Sequence, residues 1–480
     1  LFGSGLAVSA DPVSDTALRP DAAPLTLPAG RWDARDGLVG LSPDDAKAFP
    51  SFVRERNRMA RVWRNVASHR PRHPAETDLA TDDITGLTRA YLAHRGRRQP
   101  KADLTAFDAF KLASARAFLG RYFSEPALLG MLALRGLLGH GLAPEEPGSA
   151  AAWIGAFTGD LAGRDGESVL VAGGVAGLAA SLVSVIEDAG GEIITGDGVR
   201  RIRLHEDQPT GVVLDSGRSI QVPTVLSSID PVKTALELIG PENLGTDLIF
   251  DLTHNRAEGA TAYLSLAVEG VVSPKGLAVA GAGARLYHAP SLDMLSAAAL
   301  AWREGRLGDN LPFTLEIPTR HDQSLAPPGH QVFALAINYA PYTIKGGWER
   351  AGPKLIEQVL TTLEAHIPGL SDRLVAAQLV SPVELERRWG WRRGDGNGGL
   401  MTADQMGFMR PAPRISAYRY PIKGLYHCGA GSHPGGGLTG WPGRNGAQCV
   451  LSDRGQASVL KPQGAAPIAR WRARIGEVDA

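Results

Sequence analysis

The feature that most restricts the fold of this chain is a glycine-rich segment near its C-terminal end. Residues 425–428 form a short apolar run, residues 429–440 include six glycines, and residues 438–451 have helical periodicity. In a strand, glycine loop and helix arranged in this order, backbone N–H groups can touch a ligand and the helix start favours negative charge. The pattern predicts an α/β fold whose loop suits a pyrophosphate or the polar edge of a flavin.

Composition excludes several classes of protein. The chain has 480 residues, of which 44% are hydrophobic, and its 50 basic residues balance its 50 acidic residues. A chain of this length and composition buries a sizeable core, which excludes disorder as its main state. The zero net charge argues against a nucleic-acid-binding surface. Two cysteines are too few for a disulfide framework or a four-thiolate metal site.

No segment predicts a membrane span. The longest apolar region, residues 126–142, contains Arg135 and His140 and therefore indicates a core or amphipathic helix. The chain opens with Leu1 rather than Met and shows no signal peptide at that point. We expect a cytoplasmic protein, with a peripheral membrane contact through residues 127–142 as the alternative to core packing.

A second ordered region precedes the C-terminal motif. Gly173 and Gly174 follow a short apolar run and lead into a predicted helix at 175–189. The expected strands that follow are 192–195, 199–204, 211–214, 219–222 and 224–228, and Asp230-Pro231 begins a helix.

The remaining chain divides into helical and mixed parts. Ser42 is a predicted N-cap of a helix over 43–68. Further helices are expected within 105–122, 125–138, 353–366 and 382–388, and strands at 25–27, 262–268, 312–317 and 331–338. These elements divide the chain into residues 1–41, a mainly helical part (42–160), the second ordered region (161–240), a part with a mixed sheet (241–422), the C-terminal glycine-rich unit (423–452) and a tail (453–480).

These motifs resemble those of the phytoene desaturase-like FAD oxidoreductases. The resemblance begins with the 425–447 segment and extends in order through 173–178, 191–196, 199–202, 211–217 and 225–231. Blocks at 326–330, 339–342 and 404–411 also match, so the resemblance covers about residues 42–451. The chain is most similar to the branch of bacterial phytoene dehydrogenase-related proteins that resemble pyridine nucleotide-disulfide oxidoreductase domain-containing protein 2.

The resemblance implies a discontinuous Rossmann-like FAD domain with an inserted substrate lobe of mixed sheet and helices. It implies the following organisation: an N-terminal remnant of the FAD or substrate region (1–41), a mainly helical substrate lobe (42–160), an FAD-binding segment (161–240), a substrate lobe with a mixed sheet (241–422), a C-terminal FAD-binding segment (423–452) and a tail (453–480). It implies FAD as the cofactor, no metal, and hydride transfer between the flavin and a hydrophobic substrate such as a polyene or isoprenoid. No catalytic residue is assigned. The residues that it places against the cofactor are Val199, Gly429, Ala430, Gly431, Gly436, Gly437, Leu438, Thr439 and Gly440.

Two positions depart from the family pattern. The first G-x-G-x-x-G unit is missing, since Gly3-Ser4-Gly5 lacks its third glycine and the flanking strand and helix. We therefore expect the first βαβ unit, on the order of 60–100 residues, to be absent from this chain. The resemblance also leads us to expect a histidine near Gly398, and the segment 394–399 contains none, which argues against catalysis by that histidine.

Other chemistries are weaker interpretations. No G-x-S-x-G elbow supports a serine hydrolase, and Pro71 interrupts the helix that a metal site at His69 and His73 would need. Cys428 and Cys449 are expected to be buried thiols rather than a redox pair. The alternatives to an oxidoreductase are a flavin-free binding or scaffolding protein of the same fold, or a fragment that is inactive without the first unit.

Overall fold

A computed structural model describes residues 13–19, 22–27, 40–71, 101–161, 164–165, 170–277 and 284–456. Its helices, in chain order, are α1 (Pro43–Ala67), α2 (Lys101–Phe110), α3 (Ala115–Leu119), α4 (Pro126–Leu137), α5 (Ser149–Ile154), α6 (Gly174–Asp188), α7 (Pro231–Lys233, continued by a π-turn over Thr234–Ile239), α8 (Thr246–Thr253), α9 (Leu292–Arg303), α10 (Trp348–His366), α11 (Pro382–Trp389) and α12 (Trp441–Asp453).

The strands form one large sheet and several small ones. They are β1 (Ser14–Ala17), β2 (Leu25–Leu27), β3 (Asp160–Leu161), β4 (Arg164–Asp165), β5 (Val199–His205), β6 (Gln208–Leu214), β7 (Ser219–Ile220), β8 (Val225–Ser227), β9 (Thr261–Glu269), β10 (Ala284–His288), β11 (Phe313–Glu316), β12 (His330–Asn338), β13 (Leu374–Val380) and β14 (Leu425–His427).

The large sheet has the strand order β13-β9-β12-β11-β10-β1-β2. It is mixed, because β1 pairs with β10 in parallel while the other neighbours are antiparallel. Alternate residues of β9 and β12 are buried against α10, which carries Leu355, Val359 and Leu363 into the same core. One face of the sheet is thereby covered by a helix, as the alternation of the sequence predicts.

A helical layer packs against the other end of the large sheet, where α4 contacts β1 and β10. Helix α1 begins at Ser42, whose hydroxyl accepts the N–H of Asp45, and it ends at Ser68. Its apolar face joins α2 to α5 through a cluster of aromatic rings centred on Phe52, which contacts Phe49, Phe118, Tyr122, Phe123 and Trp153. Helix α4 is buried along nearly its whole length in this core.

A second, smaller unit surrounds the glycine loop of residues 429–440; this glycine-loop unit contains β5 to β8 and β14. Strands β8 and β14 pair in parallel, with Leu425 opposite Val225, and β5, β6 and β7 form a separate antiparallel meander. One apolar cluster joins Ile202 of β5, Ile239 of the π-turn and Leu425 of β14. The cluster also includes residues from α8 and from 412–422, so these two segments pack with the glycine-loop unit although the sequence assigns them to the substrate lobe.

The structure confirms most predicted elements and corrects others. The meander, β8, β9, β11, β12, α1 and α6 lie where the sequence predicts them. The predicted strand at 192–195 is wrong, because these residues pair with no other strand. The predicted helix of 105–122 is interrupted at residues 111–114, and β10, α9 and β13 were not predicted. Gly3, Gly5, His73 and most of the predicted tail lie outside the described residues.

The aromatic cluster gives a test of the helical lobe. Phe52→Ala removes a fully buried ring and leaves a cavity among five aromatic neighbours, which should lower the free energy of unfolding by about 3–5 kcal/mol. Urea denaturation followed by tryptophan fluorescence measures the change. Leu112→Ala, at a residue that is 59% exposed, is the control and should change stability by less than about 0.5 kcal/mol. Equal losses in the two variants would contradict this assignment of the core.

Candidate functional site

The glycine loop turns from a buried first half to an exposed second half. Gly429 has a φ of +86°, and a Cβ added there would lie 2.6 Å from the carbonyl oxygen of Ser228. Gly431 packs equally closely against the ring of Pro231. Residues 431–435 are buried, whereas Gly437, Leu438, Thr439 and Gly440 are exposed. The loop is therefore fixed against the β8–α7 connection at one end and open at the other.

A second glycine loop, residues 394–399, lies directly against the first. A Cβ on Gly398 would be 2.4 Å from the backbone nitrogen of Gly431. A Cβ on Gly436 would be 2.9 Å from both Oδ1 of Asn397 and the carbonyl oxygen of Gly396. The two loops approach each other so closely that only glycine fits at these contacts. This explains Gly398 structurally, since no larger side chain, histidine included, fits there without displacing the loop.

Arg410 joins the two loops from beneath. Its guanidinium is fully buried and donates to the carbonyl oxygens of Leu400 (3.2 Å), Gly399 (3.3 Å) and Ala430 (3.0 Å). It also donates to the carbonyl oxygens of Asn397 and Gln405. Backbone carbonyls from both loops thus converge on one cation, whose planar fork suits several acceptors at once.

The charge of Arg410 is balanced by a buried carboxylate. Asp395 accepts the N–H of Asn397 at 2.8 Å and that of Gly399 at 3.2 Å. Burial raises the pKa of Asp395 to about 6, although these hydrogen bonds and Arg410 favour its ionised form. Burial likewise lowers the pKa of Arg410 to about 10. Both shifts have the sign expected for charges removed from water, so the cluster is held together at an electrostatic cost.

Two buried histidines fix the first loop. His427 Nδ1 lies 2.6 Å from Oγ of Ser432, and its Nε2 lies 2.6 Å from the carbonyl oxygen of Ile415. His433 Nε2 lies 3.0 Å from the carbonyl oxygen of Val66 in α1. Burial lowers the pKa of each imidazole to about 4, so both are neutral near pH 7. The contact with Val66 gives His433 a role in fixing the loop.

The start of α12 presents backbone donors to the open end of the loop. Its N-cap, Gly440, has a φ of +71° and provides no side chain to accept the first N–H groups. No atom would contact a Cβ on Gly440 or Gly443 within 4 Å. The exposed glycine turn and the helix start, which has no side-chain cap, form an open cradle whose backbone suits the negative or polar edge of a dinucleotide cofactor. The residues present therefore fit FAD at this position.

Val199 is placed apart from the glycine loop. It begins β5 and pairs with Leu214 of β6. The meander reaches the glycine-loop unit through the apolar cluster of Ile202, Ile239 and Leu425. The structure thus brings residues 429–440 together as one surface and puts Val199 on the adjoining sheet, so its contact with adenine stays a prediction.

Helix α6 has an unusual environment. Among its residues only Ser181 is buried, while Val175 is 67% exposed and Ile186 is 45% exposed. A helix that is apolar on all sides is normally covered by other elements. The absence of a first βαβ unit, however, stays a prediction.

The other candidate chemistries find little support in the described residues. Cys428 and Cys449 are both buried free thiols, and burial raises the pKa of Cys428 to about 11. Within the described ranges, no group of three His, Cys, Asp or Glu side chains is arranged to hold a metal ion. None of the described helices combines the length and apolar composition needed to cross a bilayer.

Sequence reasoning missed the polar residues that support the loops. Arg410, Asp395 and Asn397 lie 19 or more residues before the glycine loop. Arg410 falls within the 404–411 block that resembles the family, but nothing in that block predicts its contacts. For Asp395 and Asn397 the signal was the run 394–399, because its glycines predict a close backbone approach. Their partner across the contact could not be identified without the fold.

Comparison with known proteins gives several relatives. The chain is 30% identical over 437 residues to pyridine nucleotide-disulfide oxidoreductase domain-containing protein 2 of Rattus norvegicus, covering 86% of this chain and 74% of that protein. The Mus musculus protein of the same name is 32% identical over 345 residues, and the match covers 59% of its length. Phytoene desaturase (lycopene-forming) of Pseudescherichia vulneris is 28% identical over 273 residues, with 56% of this chain and 52% of that protein covered. No family model matches the chain.

Solved structures support the fold. Putrescine oxidase bound to putrescine aligns over 95% of this chain and 84% of its own, with a TM-score of 0.52 and 11% identity. Cyclohexylamine oxidase from Brevibacterium oxydans IH-35A aligns over 94% and 84%, with a TM-score of 0.50 and 14% identity. At these identities the likeness shows a shared fold with Rossmann-like oxidoreductases.

The contact between the glycine loops can be tested with a matched pair of substitutions. Gly398→Ala would force a Cβ against the Gly431 backbone at a positive φ, and should lower the free energy of unfolding by about 2–4 kcal/mol. Gly443→Ala, which meets open space within a helix, should stay within about 0.5–1 kcal/mol of the parent. Chemical denaturation gives both values. A Gly398→Ala variant as stable as the parent would contradict the close packing of the loops.

The buried imidazole of His427 predicts a pH dependence of stability. Its folded pKa of about 4 lies below the ordinary value of 6.5, so the unfolded chain takes up a proton that the folded chain refuses. Stability is therefore lost as pH falls from about 6.5 towards 4, by about 1.4 kcal/mol per pH unit for this group. Denaturation between pH 5 and 7 should show a shallower slope for His427→Gln. The exposed-site control Leu112→Ala, which removes no titratable group, should keep the parent slope, and an unchanged slope in His427→Gln would refute the assignment.

Proposed function

The chain belongs to the family of pyridine nucleotide-disulfide oxidoreductase domain-containing protein 2, a family of FAD-dependent oxidoreductases, and we propose that it oxidises or reduces a hydrophobic substrate at the glycine loop. FAD supplies the hydride chemistry when bound. The observation that carries the proposal is the cradle formed by the exposed residues 437–440 and the uncapped start of α12. Relatives named phytoene desaturase favour a polyene or isoprenoid as the substrate.

The residues proposed to hold the cofactor contact different portions of FAD. Gly429, Ala430 and Gly431 approach the ribityl and pyrophosphate portion with their backbone. Gly436, Gly437, Leu438 and Thr439 contact the flavin, with Gly440 permitting close approach, and Val199 presents backbone groups to the adenine. The side chain of Leu438 is 80% exposed. A ligand lying against it would remove this apolar surface from water.

The chain's buried polar groups position the loop rather than carry out chemistry. Arg410 fixes the backbone of both glycine loops, and His427 and His433 are neutral loop supports. The apolar helical lobe, which reaches the loop through Val66 and Ala67, supplies a surface that excludes water from a hydrophobic substrate. We propose 423–452 as the C-terminal FAD-binding segment and keep the other predicted divisions, except that α8 and residues 412–422 are grouped with the glycine-loop unit on which they pack.

The proposal is tested by FAD titration of the purified chain and of two variants. Leu438→Asp adds a negative charge beside the proposed site of an anionic cofactor and should weaken FAD binding about tenfold or more. Leu112→Asp adds the same charge on the helical lobe and should leave the affinity unchanged. Flavin fluorescence quenching and the visible absorption bands of bound FAD measure the affinity, and thermal unfolding confirms that both variants fold.

The flavin-free alternative predicts a different result. A binding or scaffolding protein of this fold would stay colourless and would gain no thermal stability with excess FAD. That result with the parent chain would overturn the proposal. Equal FAD affinities for Leu438→Asp and Leu112→Asp would contradict the placement of the cofactor at the 437–440 turn.

A further inference from the structure

A group of polar side chains lies beside the second glycine loop, where the substrate lobe meets it. This polar corner consists of Thr261 at the start of β9, Asn338 at the end of β12, His140 after α4, and Asn397 in the 394–399 loop. Thr261 and Asn338 are cross-strand partners, and Oδ1 of Asn338 accepts the N–H of Gly139 at 3.0 Å. The corner therefore links the large sheet, the helical layer and the glycine loops at one point.

Asn397 connects this corner to the glycine loop. Its Nδ2 donates to the carbonyl oxygen of Gly139 at 3.0 Å and lies 3.4 Å from Nδ1 of His140. Its Oδ1 points at Gly436, where a Cβ would come within 2.9 Å of it. No hydrogen-bond partner is present for this Oδ1 among the described residues, and the side chain is only partly buried. One acceptor is thus directed at the loop that we propose to contact the flavin.

His140 provides the complementary donor. Burial, with a smaller contribution from Arg410, lowers the pKa of His140 to about 4, so the ring is neutral near pH 7. Because an amide Nδ2 can only donate, Nδ1 of the ring is assigned as the acceptor and Nε2 carries the proton. This Nε2–H has no partner within the described part of the chain.

Thr261 adds a polar atom that the protein leaves unsatisfied. Its side chain is 5% exposed, and its Oγ1 has no hydrogen-bond partner in the structure. The atom lies 3.8 Å from where a Cβ on Gly139 would stand, next to His140. A buried hydroxyl without a partner is destabilising, and it is retained in proteins mainly where a ligand or water satisfies it.

We propose that the polar corner binds a hydroxyl group of the substrate, so that the substrate is an apolar alcohol rather than a pure hydrocarbon. A hydroxyl both donates and accepts, which matches the free acceptor of Asn397 and the free donor of His140. A bound hydrocarbon would remove these polar atoms from water without giving them a hydrogen-bond partner. Its binding would therefore be much weaker than that of the alcohol. This inference rests on the proposed function, because it concerns the substrate that meets the same loop.

The experiment compares isoprenoid alcohols with hydrocarbons of the same skeleton. Geraniol, farnesol and geranylgeraniol, and the matching dienes, trienes and tetraenes without the hydroxyl, are titrated into the chain with and without FAD by isothermal titration calorimetry. We expect each alcohol to bind about tenfold or more tightly than its hydrocarbon. His140→Phe and Thr261→Val should each reduce that preference severalfold, whereas His254→Phe on the exposed face of α8 should not.

Thr261→Val guards against loss of folding, because it replaces an unsatisfied buried hydroxyl by a methyl group of similar shape and should keep or raise the melting temperature. Equal binding of alcohol and hydrocarbon, or no binding of the alcohols, overturns the inference. A preference that survives both His140→Phe and Thr261→Val also overturns it. A chain that prefers the alcohol but binds no FAD would uphold the polar corner and refute the proposed function, so the two failures are distinguishable.

Discussion

The buried guanidinium of Arg410 is the interaction on which the arrangement of the site depends. It donates hydrogen bonds to backbone carbonyl oxygens of the 394–400 segment and of Ala430 in the glycine loop. No β-ladder joins these two segments. Loops rich in glycine lose much conformational freedom on folding, so they need a fixed partner to hold one geometry. A buried cation with several carbonyl acceptors and a nearby carboxylate provides that partner, at the electrostatic cost that the shifted pKa of Asp395 records.

The rest of the fold brings this cation and the loops together. The large mixed sheet positions Thr261 and Asn338 at one end, the helical layer places His140 and Val66 beside the loops, and the β8–β14 pair directs Gly429 against Ser228. These contacts hold the buried first half of the glycine loop against the helical layer and the 394–399 loop. We propose that the substrate site beside it is hydrophobic with a few directed polar groups.

Local patterns were enough to predict the elements whose burial has a clear period. Strands β9 and β12 alternate, and α1 has a serine cap with proline in its first turn, so both could be identified from the sequence. The glycine loop could be placed because its composition has few structural uses. Strand β13 could not be predicted, since its residues are mostly exposed and show no alternation. The partners of Asn397 and Arg410 depend on contacts between distant segments, which no local pattern contains.

The central claim is that residues 429–443 form the cofactor-contacting surface of this chain. Hydrogen–deuterium exchange of the backbone, measured with and without saturating FAD, tests it most directly because it locates the contact without relying on activity. We expect FAD to slow exchange in the 436–443 segment and in the adjoining 396–399 loop, with little change at the β9–β13 edge of the large sheet. Unchanged exchange at the glycine loop, or protection confined to the large sheet, would contradict it.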